Sequence, residues 1–356
     1  METQIQAAQA ESKNAAVIRV TSYHRKDYDH FGIYLGQEHH RPILSSIAAP
    51  FPSTATGKCG TMDGLPVEIM QEICGLLDVE SCINFRQVNR WTRAVVSSMP
   101  QYRAVATHAL ECLCAVLKTG LGSAFTFTDL YDCLCSSTCI GCHRQFGTHV
   151  YLFTMVRYCR SCLDDSTNQD ALRIINAIRF KRITNHQVDS LAMPILKFRA
   201  LAGRYNSHQN YIWHRKRQVM VNHLQARRAL QFTNTPMFLD TGNQTKEASY
   251  MPWIATVTMP HYNLATSITM AGLACKGCAR NADRFRSLQQ FKGHLMNKTY
   301  TTNQFLNHVQ SCARAQKLWR ASKNGKLSVD HLISKFVKNG GLAVTGNPLR
   351  YSYNSQ

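Results

Sequence analysis

The stretch CIGCHRQFGTHVYLFTMVRYCRSC, residues 139 to 162, carries a Cys-x-x-Cys pair at each end and aromatic and aliphatic residues between them. A Cys-x-x-Cys turn brings two sulfurs close enough to share an ion, and a second turn set opposite completes a tetrahedron. Sixteen residues separate Cys142 from Cys159, within the spacing at which paired knuckles read as a zinc site. Two other readings compete. Four reduced cysteines can fill a small core, but a loop this short lies below the roughly 40 residues at which a core suffices unaided. Structural zinc, in contrast, supplies on the order of 10 kcal/mol or more. A redox Cys-x-x-Cys belongs beside a βαβ pattern, and no such pattern is visible. The expected ligands are Cys139, Cys142, Cys159 and Cys162, with HVYLFTMVRY as a strand walling the site. Cys133, Cys135, His143 and His149 lie nearby without a knuckle-spaced partner. Four protein ligands leave no open position, so the ion expected here is structural rather than catalytic.

A second knuckle, Cys275-Lys276-Gly277-Cys278, finds its best partner in YTTNQFLNHVQSCARAQKLW, where His308 and Cys312 stand four apart on one helix face. Phe305 and Trp319 fall near the same stripe. The expected set is Cys275, Cys278, His308 and Cys312. His294 is a rival at finger spacing from Cys278, although no second His or Cys follows it three to five residues on. An amphipathic helix with a core His and Cys is the alternative without metal.

The rest of the composition agrees with a chain kept reduced. Fourteen cysteines accompany a start, Met1-Glu2-Thr3-Gln4-Ile5-Gln6, that is unlike a secretory signal. Cysteine clusters then point to metal more than to disulfides, and to an intracellular protein of cytoplasm or nucleus. No apolar run approaches the roughly 18 residues of a membrane helix. A net charge of +20 suits an acidic partner such as nucleic acid. Along the chain the excess is distributed: His214-Arg215-Lys216-Arg217 is the densest run, Arg227-Arg228 follows, and no five basic residues are consecutive.

Residues 1–60 read as a mostly disordered polar leader. From Leu65 the pattern changes. Leu65, Ile69, Ile73, Leu76 and Leu77 form an apolar stripe at helical spacing, and Pro66 suits a first helical turn. Asp78 can cap a second short helix holding Cys82 and Phe85, and Val88, Trp91, Val95 and Val96 mark a third that stops near Pro100. A helix is expected at Ala109 to Leu117, leading to the first cysteine cluster within a segment 108–165. Segment 166–266 reads as helical and irregular, with helices around Ala171 to Phe180 and Tyr211 to Gln231. Segment 267–322 carries the second cluster, and 323–356 is a tail with a short helix.

The stretch from Gly64 to Arg103, with its Leu-Pro start, Ile/Leu stripe, short second helix and NFRQVNRWTRAVV, resembles an F-box, with Cys82 and Ile83 where a leucine is common. The arrangement beyond it, to about residue 320, is similar to fungal F-box proteins with C-terminal cysteine clusters. The resemblance implies a mainly α fold: a three-helix module at 61–107, followed by a largely helical domain with small zinc-stapled β and loop elements. It also implies a non-catalytic adaptor that docks on the Skp-type linker of a cullin–RING ubiquitin ligase and recruits a protein substrate. Leu65, Pro66, Ile69, Ile73, Leu76, Leu77 and Val88 would supply core and docking surface. A module of about forty residues cannot bury all its apolar surface alone, which fits a partner groove. The chain has no P-loop, G-x-S-x-G or H-E-x-x-H, so no enzyme can be assembled. The competing reading is a zinc-dependent nucleic-acid-binding regulator.

Overall fold

Three consecutive helices follow the change of pattern at Leu65: α2 (Val67–Leu76), α3 (Val79–Val88) and α4 (Arg90–Ser98). They come after α1 (Glu2–Thr21) and a two-residue strand β1 (Ser22–Tyr23). The computed structural model describes residues 2–36, 43, 46–47, 60–164, 197–201, 203–205, 212–214, 218–221, 251–280 and 295–341. Side-chain caps set the helix starts. Asp78 accepts from the Ser81 amide at 2.8 Å, and Asn89 and Thr92 close a reciprocal capping box on α4. Pro66 sits at the cap of α2, one place before the first turn where the sequence put it. Val88 ends α3 instead of opening the third helix.

Three more helices, α5 (Pro100–His108), α6 (Leu110–Thr119) and α7 (Phe127–Cys135), complete the helical layer. The α6 helix lies close to the one expected and ends at Gly120, whose φ of 78° suits a glycine cap. The α7 helix was not expected. Its start is held by a box between Thr126 and Asp129, and its period places Phe127, Leu130, Cys133 and Leu134 on the core side.

The stretch HVYLFTMVRY forms a hairpin rather than one strand. Strand β2 (His149–Tyr151) pairs antiparallel with β3 (Val156–Tyr158), and Met155 turns with a φ of 49°. On its other edge β2 pairs with β8 (Thr256–Thr258), which follows α9 (Met251–Ile254). Val150, Tyr151 and Leu152 therefore join the main helical core with Trp253 and Val257, and only Tyr158 leans on the cysteines. After β3 comes α8 (Arg160–Asp164).

Residues 166–266 differ most from expectation. The helix around Ala171 to Phe180 lies outside the described residues. In place of a helix at Tyr211 to Gln231 stand β6 (Ile212–His214) and β7 (Gln218–Val221), paired with β5 (Gly203–Tyr205) and β4 (Lys197–Ala200) respectively. Ile, Trp, Val and Met in those runs favour a pleated surface, and pairing partners were available.

The leader is the other correction. Within residues 2–36, α1 packs against the C-terminal helices, and Tyr28, Phe31, Ile33 and Leu35 are buried in the main core. Phe31, Ile33 and Leu35 alternate, as residues on one face of an extended chain must. Ile33 bridges Val257 in parallel, with its amide 2.7 Å from the Thr256 carbonyl. Gly32 permits that approach, because a Cβ there would lie 2.2 Å from the same carbonyl oxygen.

The C-terminal part holds a hairpin of β9 (His261–Asn263) and β10 (Ile268–Met270), then β11 (Ala274–Cys275), α10 (Thr302–Ser311), α11 (Ala313–Ala321) and α12 (Lys335–Lys338). A second core joins Phe305, Val309, Ala315, Phe336 and Val337 to Val17, Ile18 and Tyr23 of the N-terminus. Residues 323–341 thus belong to this unit, and the short helix of the expected tail is α12. The fold is mainly α with small β elements. Among the described residues no helix is long and apolar enough to cross a membrane.

Candidate metal centres and an exposed apolar face

The first knuckle is a turn closed by its own backbone: the His143 amide donates to the Cys139 carbonyl at 2.8 Å, and Cys139 N to Gln145 O at 3.0 Å. The second opens α8, where Leu163 N donates to Cys159 O at 3.2 Å. These turns set the four sulfurs of Cys139, Cys142, Cys159 and Cys162 within 4.8 Å of one another. Gly141 fits the first turn against the second, since a Cβ would come 3.2 Å from Cys162 Sγ.

Arg157 holds this region to the core, and nothing in the sequence singled it out. Its buried guanidinium donates to the carbonyls of Cys133 at 2.7 Å, Gly147 at 2.8 Å, Met259 at 2.7 Å and Pro260 at 2.5 Å. The end of α7, the knuckle loop, the β2–β3 hairpin and the chain after β8 are thereby tied to one side chain.

The second tetrad is assembled from β11, the turn after it and the end of α10. Cys275 and Cys278 lie 4.0 and 3.9 Å, sulfur to sulfur, from Cys312, and Cys278 lies 3.4 Å from His308 Nε2. Ligand atoms of all four residues again lie within 4.8 Å of one another. Tyr300 stacks on the His308 ring at 4.8 Å and 16°, with its hydroxyl 3.5 Å from Nδ1. That arrangement leaves Nε2 turned to the sulfurs and fixes the ring plane, the usual office of an outer partner to a ligating His. Gly277 lets the knuckle meet the start of α11, since a Cβ would stand 2.5 Å from Ala315 N. Tyr300 and Gly277 escaped the sequence reading, although both lie inside the quoted motifs.

The thiols within each tetrad lie close enough to bond to one another, and their ionisation is linked. Hydrogen bonds from Cys159 and Cys162 pull the Cys139 thiol far down, while the bond to Cys139 pushes Cys159 up. Cys275 is likewise lowered to about 4, first by its bond from Cys278, and Cys278 is raised by Cys275. One sulfur of each set takes negative charge at its neighbours' expense, and a bound cation would let all the thiols ionise together. Each tetrad can hold a metal ion.

The other candidate ligands lie elsewhere. Burial pushes Cys133 up to about 11, and Cys112 is raised by burial too. His149 is buried between Tyr28 and Trp253, its Nε2 3.4 Å from the Tyr28 carbonyl, and burial lowers its pKa to about 3. Cys135 and His143 are not in the tetrad, and His294 lies outside the described residues.

The expected docking residues divide between two faces. Met70 and Cys74 turn α2 to the core, and Leu77 packs there as well, so Leu77 leaves the outward stripe. Leu65, Ile69, Ile73 and Leu76 stay exposed, Leu76 at 84%, and Val88 at the end of α3 is 67% exposed. Pro66 is exposed. Of the eleven large hydrophobic residues exposed among those described, seven lie from Met62 to Val88. The other four, Ile140, Leu264, Ile268 and Leu327, lie scattered farther along the chain.

Fold and sites together define a mainly α-helical chain with two cysteine-rich tetrads, each able to hold a metal ion, and one exposed apolar face. Comparison with protein-family models, with curated proteins and with solved structures gives no match to this chain.

Proposed function

We propose that the chain is a non-catalytic, zinc-stapled adaptor of a cullin–RING ubiquitin ligase. The segment at 61–107, whose first three helices are α2 to α4, docks on the Skp-type linker, and the C-terminal domain binds a protein substrate. The observation that carries this reading is the exposed Ile69, Ile73 and Leu76 on α2, with Leu65 just before it, on a helix whose Met70 and Cys74 are turned to the core. Exposed apolar area of this kind is costly in water and gains on entering a partner's groove. The resemblance of residues 64–103 to an F-box names the partner. Zinc is the ion assigned to both sites, because four thiolates, or three with one imidazole, at tetrahedral spacing suit its softness and geometry. With every position taken by protein, the ions would staple the fold and do no chemistry.

Co-expression with a Skp-type linker tests the assignment. The intact chain should co-purify with the linker, and a variant carrying Ile69→Glu and Leu76→Glu should not. A linker that ignores the intact chain ends the adaptor reading. Elemental analysis of the purified protein should give two zinc ions per chain; one would remove a site, and none would remove both.

A further inference from the structure

The surplus of positive charge is heaviest in the C-terminal part of the chain. From residue 248 onward the chain has 14 Lys and Arg against two carboxylates, Asp283 and Asp330, a surplus of 12 in the total of 20. Between those two acids no Asp or Glu occurs. The structure places five of these cations together: Arg314, Lys317 and Arg320 on α11, and Lys323 and Lys326 on the turn after it, all exposed.

Their arrangement follows from the second tetrad. Cys312 belongs to the tetrad and also caps the start of α11, and Ala315 and Leu318 turn that helix inward. Lys317 and Arg320 lie on the side of the helix away from Ala315 and Leu318, and Arg314, one turn before Leu318, flanks them at the exposed edge. The turn reverses through Lys323, Asn324 and Gly325, all with positive φ, so Lys323 and Lys326 follow directly at the helix end. Trp319 packs inward with Val20, Leu318 and Val329. Among the described residues none of the five cations forms an ion pair; the pair found there is Arg25–Asp27, deep in the interior. Clustered cations repel one another and are relieved by a polyanion, whose bound counterions they displace.

We infer that α11 and the turn 322–326 form a nucleic-acid-binding surface that grips duplex phosphates without reading sequence. Phosphate contacts need charge and reach, which these side chains have. A peptide partner would also need an apolar or aromatic anchor, and α11 exposes only Ala313 and Ala321 besides its polar residues. A single helix also fits a DNA major groove about 12 Å wide. The inference does not rest on the adaptor reading, since the face belongs to the second core and the docking stripe to the first.

The test is fluorescence anisotropy of the full zinc-loaded chain with 20-base-pair DNA and RNA duplexes over a series of salt concentrations. Three variants accompany it: Arg314→Gln/Lys317→Gln/Arg320→Gln, Lys323→Gln/Lys326→Gln, and a control of equal charge loss, Arg90→Gln/Arg103→Gln/Lys118→Gln. All eight positions are exposed, and zinc content with circular dichroism verifies folding. The α11 variant should weaken binding at least tenfold and lower the salt slope by about 2.7, at ~0.9 per phosphate contact, with the control slope unchanged. The turn variant should lower the slope by about 1.8 on the same basis. DNA and RNA arms of unequal affinity tell which duplex is preferred. Absence of duplex binding at low salt, equal losses in the control, or a polyglutamate peptide bound as tightly as the duplexes would overturn the inference.

Discussion

Ser22 pairs with Cys275 across the two-residue ladder of β1 and β11, and the amide of Lys276 donates to the Thr21 carbonyl at 2.8 Å. The first secondary structure of the chain is thus bonded to the backbone of a candidate metal ligand more than 250 residues later. Val17, Ile18 and Tyr23 seal the same core. Loss of metal from the second tetrad should therefore release the N-terminus, because tetrad and helix share one small core and the ion supplies much of its folding energy. Hydrogen exchange should show faster exchange across residues 10–23 after chelation, and equally in Cys275→Ser. Protection in α1 that survives metal removal would show that the small core holds without its ion.

The stacking of Tyr300 on His308 predicts a graded series at the same tetrad. His308→Ala removes a ligand and should lower the metal content from two ions per chain to one. Tyr300→Phe keeps the stacked ring but loses the hydroxyl facing Nδ1, so it should cost metal affinity on the order of tenfold, as outer-shell substitutions do. Competition with a chromophoric zinc chelator measures both. An affinity in Tyr300→Phe equal to that of the parent would reduce Tyr300 to a packing role.

The two faces of α2 should separate stability from docking. Met70 is buried and packed, so Met70→Ala should cost about 2–5 kcal/mol in urea unfolding. Ile73→Ser on the outward face should leave the urea midpoint nearly unchanged while weakening capture of the Skp-type linker. If Ile73→Ser destabilises the chain as much as Met70→Ala, the stripe is part of the fold and not a surface for a partner.

Both tetrads were legible because metal binding constrains residue type and spacing together, so Cys139, Cys142, Cys159, Cys162, Cys275, Cys278, His308 and Cys312 stand out without any structure. The helices α2 to α4 were legible from apolar period and caps. What lay hidden depends on distant partners. The polar α1 helix has little amphipathic signal and gains its place by packing on α10 and α11, so local propensity could not reveal it. Leu77 differs from Leu76 only by one residue of rotation, and which one turns inward is decided by the neighbouring helices. Arg157 reads as one arginine among many until carbonyls from three separate stretches of the chain converge on it. The charge density of the C-terminal part was present in the sequence but is visible only when acids are counted as well as bases.

Glu111 on α6 supplies a prediction about pH. Burial raises its carboxyl to about 7 from an ordinary 4.5, only partly opposed by the Leu35 amide that donates to it. A carboxyl raised in the folded state binds more protons there than in the unfolded chain at intermediate pH. Stability from this group therefore falls as pH rises from about 4.5 to about 7, and is flat above that. Asp29, raised by burial to about 6, acts in the same direction. Metal ligands work the opposite way, because acid protonates them and favours loss of the ion. Comparing variant with parent at fixed zinc isolates the carboxyl. Glu111→Gln keeps an oxygen to accept from Leu35 and cannot ionise, so its urea midpoint relative to the parent should be higher at pH 8 than at pH 5. A difference between the two proteins that does not change with pH would mean that Glu111 titrates at its ordinary value in the folded chain.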